Sequence, residues 1–132
     1  MSNEREVEEI PVGTHTVLFE PPDLFVVRLV GDFNLSDMLG TAEAYKRATG
    51  KFYLILDTTH LGSFSSEAKR VVSKVPLAAA VAIFGASRQA QLILSLLSKV
   101  YMMVNMGKAV DIKFMGSEAE GRAWLNQVRQ RG

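Results

Sequence analysis

One stretch, Phe52–Pro76 (FYLILDTTHLGSFSSEAKRVVSKVP), constrains the fold more than any other. It begins with an unbroken apolar run, Phe52–Leu56, which is typical of a strand that is covered on both faces. Polar and flexible residues follow from Thr58 to Ser66, a region that we call the hydroxyl segment and expect to form a turn. A helix is then predicted from Ser66 to Val75, because Pro76 cannot continue it. A strand, a polar turn and a helix start in this order indicate an open α/β sheet, whose ligands and partners bind at the carboxyl ends of the strands.

The remaining elements follow from hydrophobic spacing and helix caps. Strands are predicted at His15–Glu20, Leu24–Val30, Ala78–Phe84 and Val110–Phe114. Helices are predicted at Ser36–Thr49, with Ser36 or Asn34 as cap, at Arg88–Asn105, and from the capping box that starts at Ser117. The order β-β-α-β-α-β-α-β-α predicts one α/β domain. Its five-stranded mixed sheet has an N-terminal antiparallel hairpin and otherwise parallel strands, with four helices. We expect residues 1–13 to be an acidic flexible tail and residues 14–132 to be the domain.

Composition excludes several classes of function. The 132 residues contain no cysteine, which removes disulfides, thiolate metal sites and cysteine nucleophiles. The net charge of +1 gives no broad field for nucleic acid. The acidic N-terminus does not resemble a secretion signal, and the greasiest stretch, Leu92–Val104, is too short and too polar to cross a bilayer. We therefore expect a cytoplasmic protein without a transmembrane segment, cofactor or metal.

Three segments together resemble a known group, the STAS-like (anti-sigma-factor antagonist) domains, in their STAS/CRAL-TRIO-like bacterial branch. They are LILDTTHLGSFSSEAKR at Leu54–Arg70, VAIFGAS at Val81–Ser87 and VDIKFMGSEAEGRAWL at Val110–Leu125. The likeness extends from about Thr14 to the end of the chain. It implies a non-enzymatic domain that binds a kinase-like or other regulatory protein.

In the partner-switching members of this group, an Asp-Ser-Ser/Thr-Gly element opens the second helix, and a serine in it is phosphorylated. Ser65 and Ser66 stand at the corresponding positions, which makes them the candidate phosphosites. The sequence departs from the pattern, since no aspartate precedes the serines and Glu67 and Ala68 follow them. An acid beside the serine would repel an added phosphate.

The candidate docking surface combines the hydroxyl segment with the turn before the third helix. Its binding residues are Asp57, Thr58, Thr59, Ser63, Ser65, Ser66, Gly85, Ser87 and Arg88. Other interpretations stay open for some of them: the serines also suit helix caps, and Asp57 suits a turn former that accepts a bond from Thr59. His15 and His60 have no ligand spacing and are expected at the surface or in turns.

The third predicted helix carries more apolar surface than one sheet face requires. Candidate contact residues are Leu92, Leu96, Val100 and Met103. They could meet a protein partner, a second copy in a homodimer, or an apolar, lipid-like ligand held between this helix and the sheet. Carriage of such a ligand is the alternative to the regulatory function.

Enzymatic interpretations are weaker. GSFSS lacks the glycines of a nucleophile elbow, which argues against a hydrolase that uses Ser65 or Ser66. A phosphoacceptor role for Asp57, as in receiver domains, requires an acidic pair after an early strand, and Asp32 stands there alone. We therefore predict that the chain is not an enzyme.

Overall fold

Six strands and four helices make up the part of the chain that the computed structural model describes, residues 7–71, 78–104 and 111–131. The strands are β1 (Glu8–Val12), β2 (His15–Glu20), β3 (Leu24–Phe33), β4 (Tyr53–Phe64), β5 (Ala80–Phe84) and β6 (Asp111–Met115). The helices are α1 (Leu35–Ala44), α2 (Ser66–Val71), α3 (Arg88–Val104) and α4 (Glu118–Arg131), and a 3₁₀ turn (Tyr45–Arg47) follows α1. Three predicted features lie outside the described residues: the ends of α2 at Val75 and of α3 at Asn105, and strand residue Val110.

All six strands form one sheet in the order β1-β2-β3-β4-β5-β6. β2 is antiparallel to both of its neighbours, β1 and β3, and each later strand is parallel to its predecessor. The predicted α/β class, antiparallel start and parallel remainder are therefore confirmed. The strand count differs, because β1 was assigned to the tail. Ile10 and Val12 lie at alternate positions of β1 and pack on the core, so the prediction of a flexible tail is wrong for Glu8–Val12.

The two faces of the sheet carry separate cores. Because each crossover from β3 onward moves in the same direction along the sheet, right-handed connections place α1, α2 and α3 on one face. Phe25 and Val27 of β3 lie in that larger core, together with side chains from α1 and α2. Val26 and Ile55 lie on the opposite face, which is covered by Leu125 of α4.

Helix α1 starts one residue earlier than predicted and ends sooner. Asn34 is its cap: the Asn34 side chain accepts from the Asp37 N–H, and the Asp37 carboxylate accepts from the Asn34 N–H. This box turns Asp37, Met38, Thr41 and Ala44 toward the protein. Leu39 lies on the other side of the helix, and its side chain is 54% exposed.

The last strand and helix agree with the sequence in most details. β6 is an edge strand, and Lys113 is exposed on it with its Nζ 5.9 Å from the centre of the Trp124 ring. Ser117 Oγ accepts from the Glu120 N–H at 3.2 Å, as a capping box requires. The Glu120 carboxylate reaches the N–H of Gly116 rather than that of Ser117, at 3.0 Å. The predicted start of α4 is confirmed.

Candidate binding edge of the sheet

The hydroxyl segment is mostly a strand, not the predicted turn. β4 continues from Asp57 to Phe64, where it pairs with the far end of β3 through Val30–His60, Gly31–Leu61 and Phe33–Phe64. The predicted turn was wrong because β3 also runs beyond its predicted end at Val30, and its backbone offers the polar residues a partner. Two register shifts give β4 extra residues here and bend it.

Two carboxylates hold the backbone of this extension. Asp32 Oδ1 accepts from both the N–H and the hydroxyl of Ser63, each at 3.0 Å. Asp57 Oδ1 accepts from the Thr59 N–H at 3.1 Å, which is the contact that a turn former makes. Among the described residues no group of three acidic or histidine side chains could hold a metal ion. The two acids therefore serve backbone geometry here.

β5 is shorter than β4 and leaves it at Gly85. The last pair between the two strands is Asp57 with Phe84, and the Thr58 hydroxyl closes it by donating to the Phe84 carbonyl oxygen at 2.9 Å. Gly85 then adopts φ +78°, where a side chain would be strained, and a Cβ at this position would overlap Thr59 Oγ1. A glycine is therefore required at this turn, which directs the chain away from the sheet into α3.

A cleft of about 350 Å³ opens between the β4 extension and the start of α3. We call it the β4–α3 cleft. Hydroxyls of Thr58, Thr59, Ser63 and Ser87 contribute to its polar lining. Its apolar lining comes from Leu61, Phe64, Ala90 and Leu94, and all the described residues that line it are uncharged. It thus gathers five of the predicted binding residues, the four hydroxyl residues and Gly85.

The other predicted binding residues lie beside the cleft rather than in its lining. Ser65 Oγ accepts from the Ala68 N–H at 3.1 Å and caps α2, whereas Ser66 is exposed. Of the two candidate phosphosites, Ser66 is exposed and Ser65 is half-buried. Arg88 is exposed at the start of α3, and Ser87 caps that helix through the Ala90 N–H at 3.1 Å.

Helix α3 presents two leucines to solvent. Leu92 and Leu96 are 63% and 60% exposed and, four residues apart, share one face. Leu94 packs on the larger core instead. The exposed pair does not line a space between α3 and the sheet, which is where the apolar-ligand alternative placed it. The side chains of Val100 and Met103, the other two predicted contacts, lie outside the described residues.

His15 is a buried residue that the sequence interpretation placed in a surface or turn position. Its side chain is fully covered, and its Nδ1 accepts from the Val30 N–H at 2.9 Å. Its Nε2 lies 3.0 Å from the Asp32 carbonyl oxygen and 3.2 Å from Asp37 Oδ2. A signal was present, since His15 shares the buried face of β2 with Val17 and Phe19 by strand alternation. His60, by contrast, is exposed as expected.

A second, smaller cleft of about 230 Å³ lies at the opposite end of the strands, beside the turn between β2 and β3. Arg122 there forms a two-pronged ion pair with Glu20 and a further contact with Glu118 at 2.9 Å. The hydrogen bond from Arg122 lowers the pKa of Glu20, and the pairing raises the pKa of Arg122. Arg129 is likewise paired, with Asp23 at 2.8 Å. These cations are already neutralised, so the arrangement is a structural clamp rather than an anion site.

Comparison with known proteins links this geometry to solved structures and not to sequence families. No protein-family model matches the chain, and no curated protein matches it.

None of the helices in the described residues is long and apolar enough to cross a bilayer.

Among the solved structures that are similar to the chain, two are informative about its fold. One is the anti-sigma-factor antagonist SpoIIAA in its unphosphorylated form, with 14% identity, a TM-score of 0.49 and coverage of 88% of this chain and 98% of that one. The other is a DUF3478 protein from Shewanella loihica, described as having a SpoIIAA-like fold, with 17% identity and a TM-score of 0.52. The alignment covers 95% of this chain and 98% of the Shewanella chain. The fold that the STAS-like resemblance implies is thus confirmed, since this chain shares the SpoIIAA-like fold of the Shewanella protein.

Proposed function

We propose that this chain is a non-enzymatic regulatory domain that binds a protein partner at the β4–α3 cleft. The observation that carries the proposal is the convergence of Thr59, Ser63 and Ser87 on one accessible surface at the carboxyl ends of the parallel strands. Binding sites of open α/β sheets lie at this edge. The fold agrees with this proposal, since it is shared with a protein described as SpoIIAA-like, and SpoIIAA is described as an anti-sigma-factor antagonist.

Binding rather than catalysis is favoured by how the reactive groups are used. Both ring nitrogens of His15 are engaged in hydrogen bonds, so the imidazole has no free nitrogen to act as a base. Asp32 and Asp57 accept from backbone N–H groups, and Ser65 and Ser87 cap helices. The polar side chains of the cleft are hydroxyls and the Gln89 amide, and the carboxylate oxygen that accepts from the Ser63 hydroxyl, Asp32 Oδ1, is shared with the Ser63 N–H. Such a lining suits recognition of a polypeptide surface.

A variant pair tests this function in the cell of origin. Gln89 is exposed and lines the cleft, so Gln89→Arg places a long cation inside it. Gln127→Arg makes the same change at an exposed position of α4, on the other face of the sheet. Tagged full-length proteins are recovered from cells, and their partners are quantified by mass spectrometry. We expect a partner that is enriched with wild type and with Gln127→Arg and reduced at least tenfold with Gln89→Arg. A partner set that is the same for all three proteins would contradict the proposed surface.

The switching form of the proposal assigns phosphorylation to Ser66. Ser66 is exposed, whereas the Ser65 hydroxyl is half-buried and already accepts a hydrogen bond. Protein isolated from its own cells is expected to carry one phosphate on the peptide that contains both serines. The phosphate should disappear in Ser66→Ala and persist in Ser65→Ala. Protein that is unphosphorylated under all growth conditions would contradict the switch and leave the proposed binding surface in place.

A further inference from the structure

We propose that the partner engages the β4–α3 cleft by adding an extended, uncharged segment as a new strand on the free edge of β4. The inference rests on the proposed function and specifies its binding mode. It starts from the unequal lengths of β4 and β5, which leave part of β4 paired on one side only among the described strands.

The free edge exists because Gly85 directs the chain away from the sheet. β5 accompanies β4 only as far as Asp57, where Phe84 is its last paired residue. Gly85 then adopts φ +78°, and α3 begins at Arg88 on one face of the sheet. The position that a longer β5 would occupy beside His60–Phe64 is the β4–α3 cleft.

The backbone of Phe64 faces this cleft. The Ser65 N–H donates to the Phe33 carbonyl oxygen at 2.9 Å, and Phe33 is the register partner of Phe64. In a parallel ladder with this pattern, the groups of Phe33 bond to the residues on either side of Phe64, and the N–H and C=O of Phe64 itself point away from β3. An exposed strand edge of this kind pairs readily with an incoming extended segment, as in β-strand addition.

The lining restricts the chemistry of the occupant. The described residues that line the cleft are uncharged, so a charged side chain buried there would lose its hydration without gaining a counter-charge from the lining. Leu61, Phe64 and Leu94 offer apolar contact, and Ser63 and Ser87 offer hydroxyls. Since strand side chains alternate, the matching segment has apolar and small polar residues at alternate positions.

An extended occupant fits better than a helical one. A helix satisfies its own backbone groups and therefore offers none in its middle to the N–H and C=O of Phe64. The volume of about 350 Å³ lies at the lower end of the range of roughly 300–1,000 Å³ for ligand pockets, which suits a few residues of extended chain.

The test uses a displayed library of ten-residue peptides without Asp, Glu, Lys or Arg, selected on the full-length chain. The selected peptide is titrated into wild type, Gln89→Arg and Gln127→Arg, and its backbone nitrogens are methylated one at a time. Amide hydrogen exchange of the Phe64 N–H is followed by NMR with and without peptide. We expect at least tenfold weaker binding to Gln89→Arg, a change of less than twofold for Gln127→Arg, and losses of tenfold or more at every second methylated position. Exchange at Phe64 should slow at least tenfold.

The outcomes separate the two proposals. A peptide that is sensitive to Gln89→Arg but shows no alternation on methylation, or leaves exchange at Phe64 unchanged, would overturn strand addition while leaving the cleft as the docking surface. Failure of the library to yield a peptide that Gln89→Arg weakens would also overturn strand addition. The proposed function would fail separately, if the cellular partner bound Gln89→Arg as well as it binds wild type.

Discussion

His15 and Asp37 form a buried pair, with His15 Nε2 lying 3.2 Å from Asp37 Oδ2. The Val30 N–H can only donate, so His15 Nδ1, 2.9 Å away, is its acceptor and carries no proton. The ring proton is therefore on Nε2, from which it is directed to Asp37 and to the Asp32 carbonyl oxygen. One neutral side chain thereby joins β2, the end of β3 and the start of α1.

Replacement of His15 should cost substantial stability. His15→Ala opens a cavity and leaves the part-buried Val30 N–H without its acceptor, for which we expect a loss of about 2–4 kcal/mol in the free energy of unfolding. Urea denaturation at neutral pH measures it. His60→Ala is the matched control, because His60 is exposed, and it should change stability by less than about 0.5 kcal/mol. Equal losses for the two variants would contradict the assigned role.

The cap of α1 gives a second prediction, because two residues competed for it in the sequence. Asn34 Oδ1 accepts from the Asp37 N–H at 3.0 Å, whereas Ser36 is exposed within the first turn. Asn34→Ala should therefore destabilise the protein by about 1 kcal/mol in thermal or urea unfolding. Ser36→Ala should be close to neutral. The reverse ranking would show that Ser36 is the cap.

The turn at Gly85 gives a third prediction, on stability. Gly85→Ala combines a left-handed backbone with a Cβ that meets Thr59, and it should cost about 1–3 kcal/mol. Gly50→Ala is the control, since no atom lies within 4 Å of its added Cβ. The double variant Gly85→Ala, Thr59→Ala should recover only the loss that comes from the Thr59 hydroxyl, because the Thr59 N and Cα lie 2.9 and 3.0 Å from the added Cβ and remain. If the single variant is as stable as Gly50→Ala, the close approach of Gly85 and Thr59 is wrong.

The ion pair of Glu20 with Arg122 should give the stability a dependence on pH. The hydrogen bond from Arg122 lowers the pKa of Glu20 in the folded chain below its usual value. A carboxyl with a lowered folded pKa contributes stability above its unfolded pKa and loses this contribution as the pH falls through the folded one. The pair is partly exposed, so we expect a contribution on the order of 1 kcal/mol at pH 7.

Urea unfolding of wild type and Glu20→Gln between pH 7 and pH 2 measures the contribution of the ion pair to the free energy of unfolding. The difference between the two proteins should be largest at neutral pH and shrink below about pH 4. Glu43→Gln serves as the control, because Glu43 and its partner Lys46 are both 70% exposed. A difference for Glu20→Gln that is constant with pH would contradict the proposed ionic origin.

Local sequence patterns were enough to predict most of the fold. The apolar run after Phe52, the alternation in His15–Glu20 and the capping serine at Ser117 each act within a few residues, so the sequence displays them directly. The sequence did not predict β1, because its apolar residues, Ile10 and Val12, stand among acids and a proline. The strand forms through its pairing with β2. Long-range pairing of this kind overrides local preference.

The candidate site was predictable in its location and not in its shape. The carboxyl edge follows from strand order, which brought Thr59, Ser63 and Ser87 together as expected. The extended form of the hydroxyl segment depends on β3 continuing to Phe33, a contact between residues about thirty positions apart. The buried state of His15 depends likewise on Asp37, which becomes its neighbour only when β2 meets α1.

The strand order has a consequence for how the protein is made. Each strand of the sheet lies beside the strand that precedes it in the chain. A nascent chain can therefore join every new strand to one already synthesised, without waiting for a later segment to be inserted between them. Because each strand pairs with its predecessor, the sheet can grow stepwise from its N-terminal strands during synthesis.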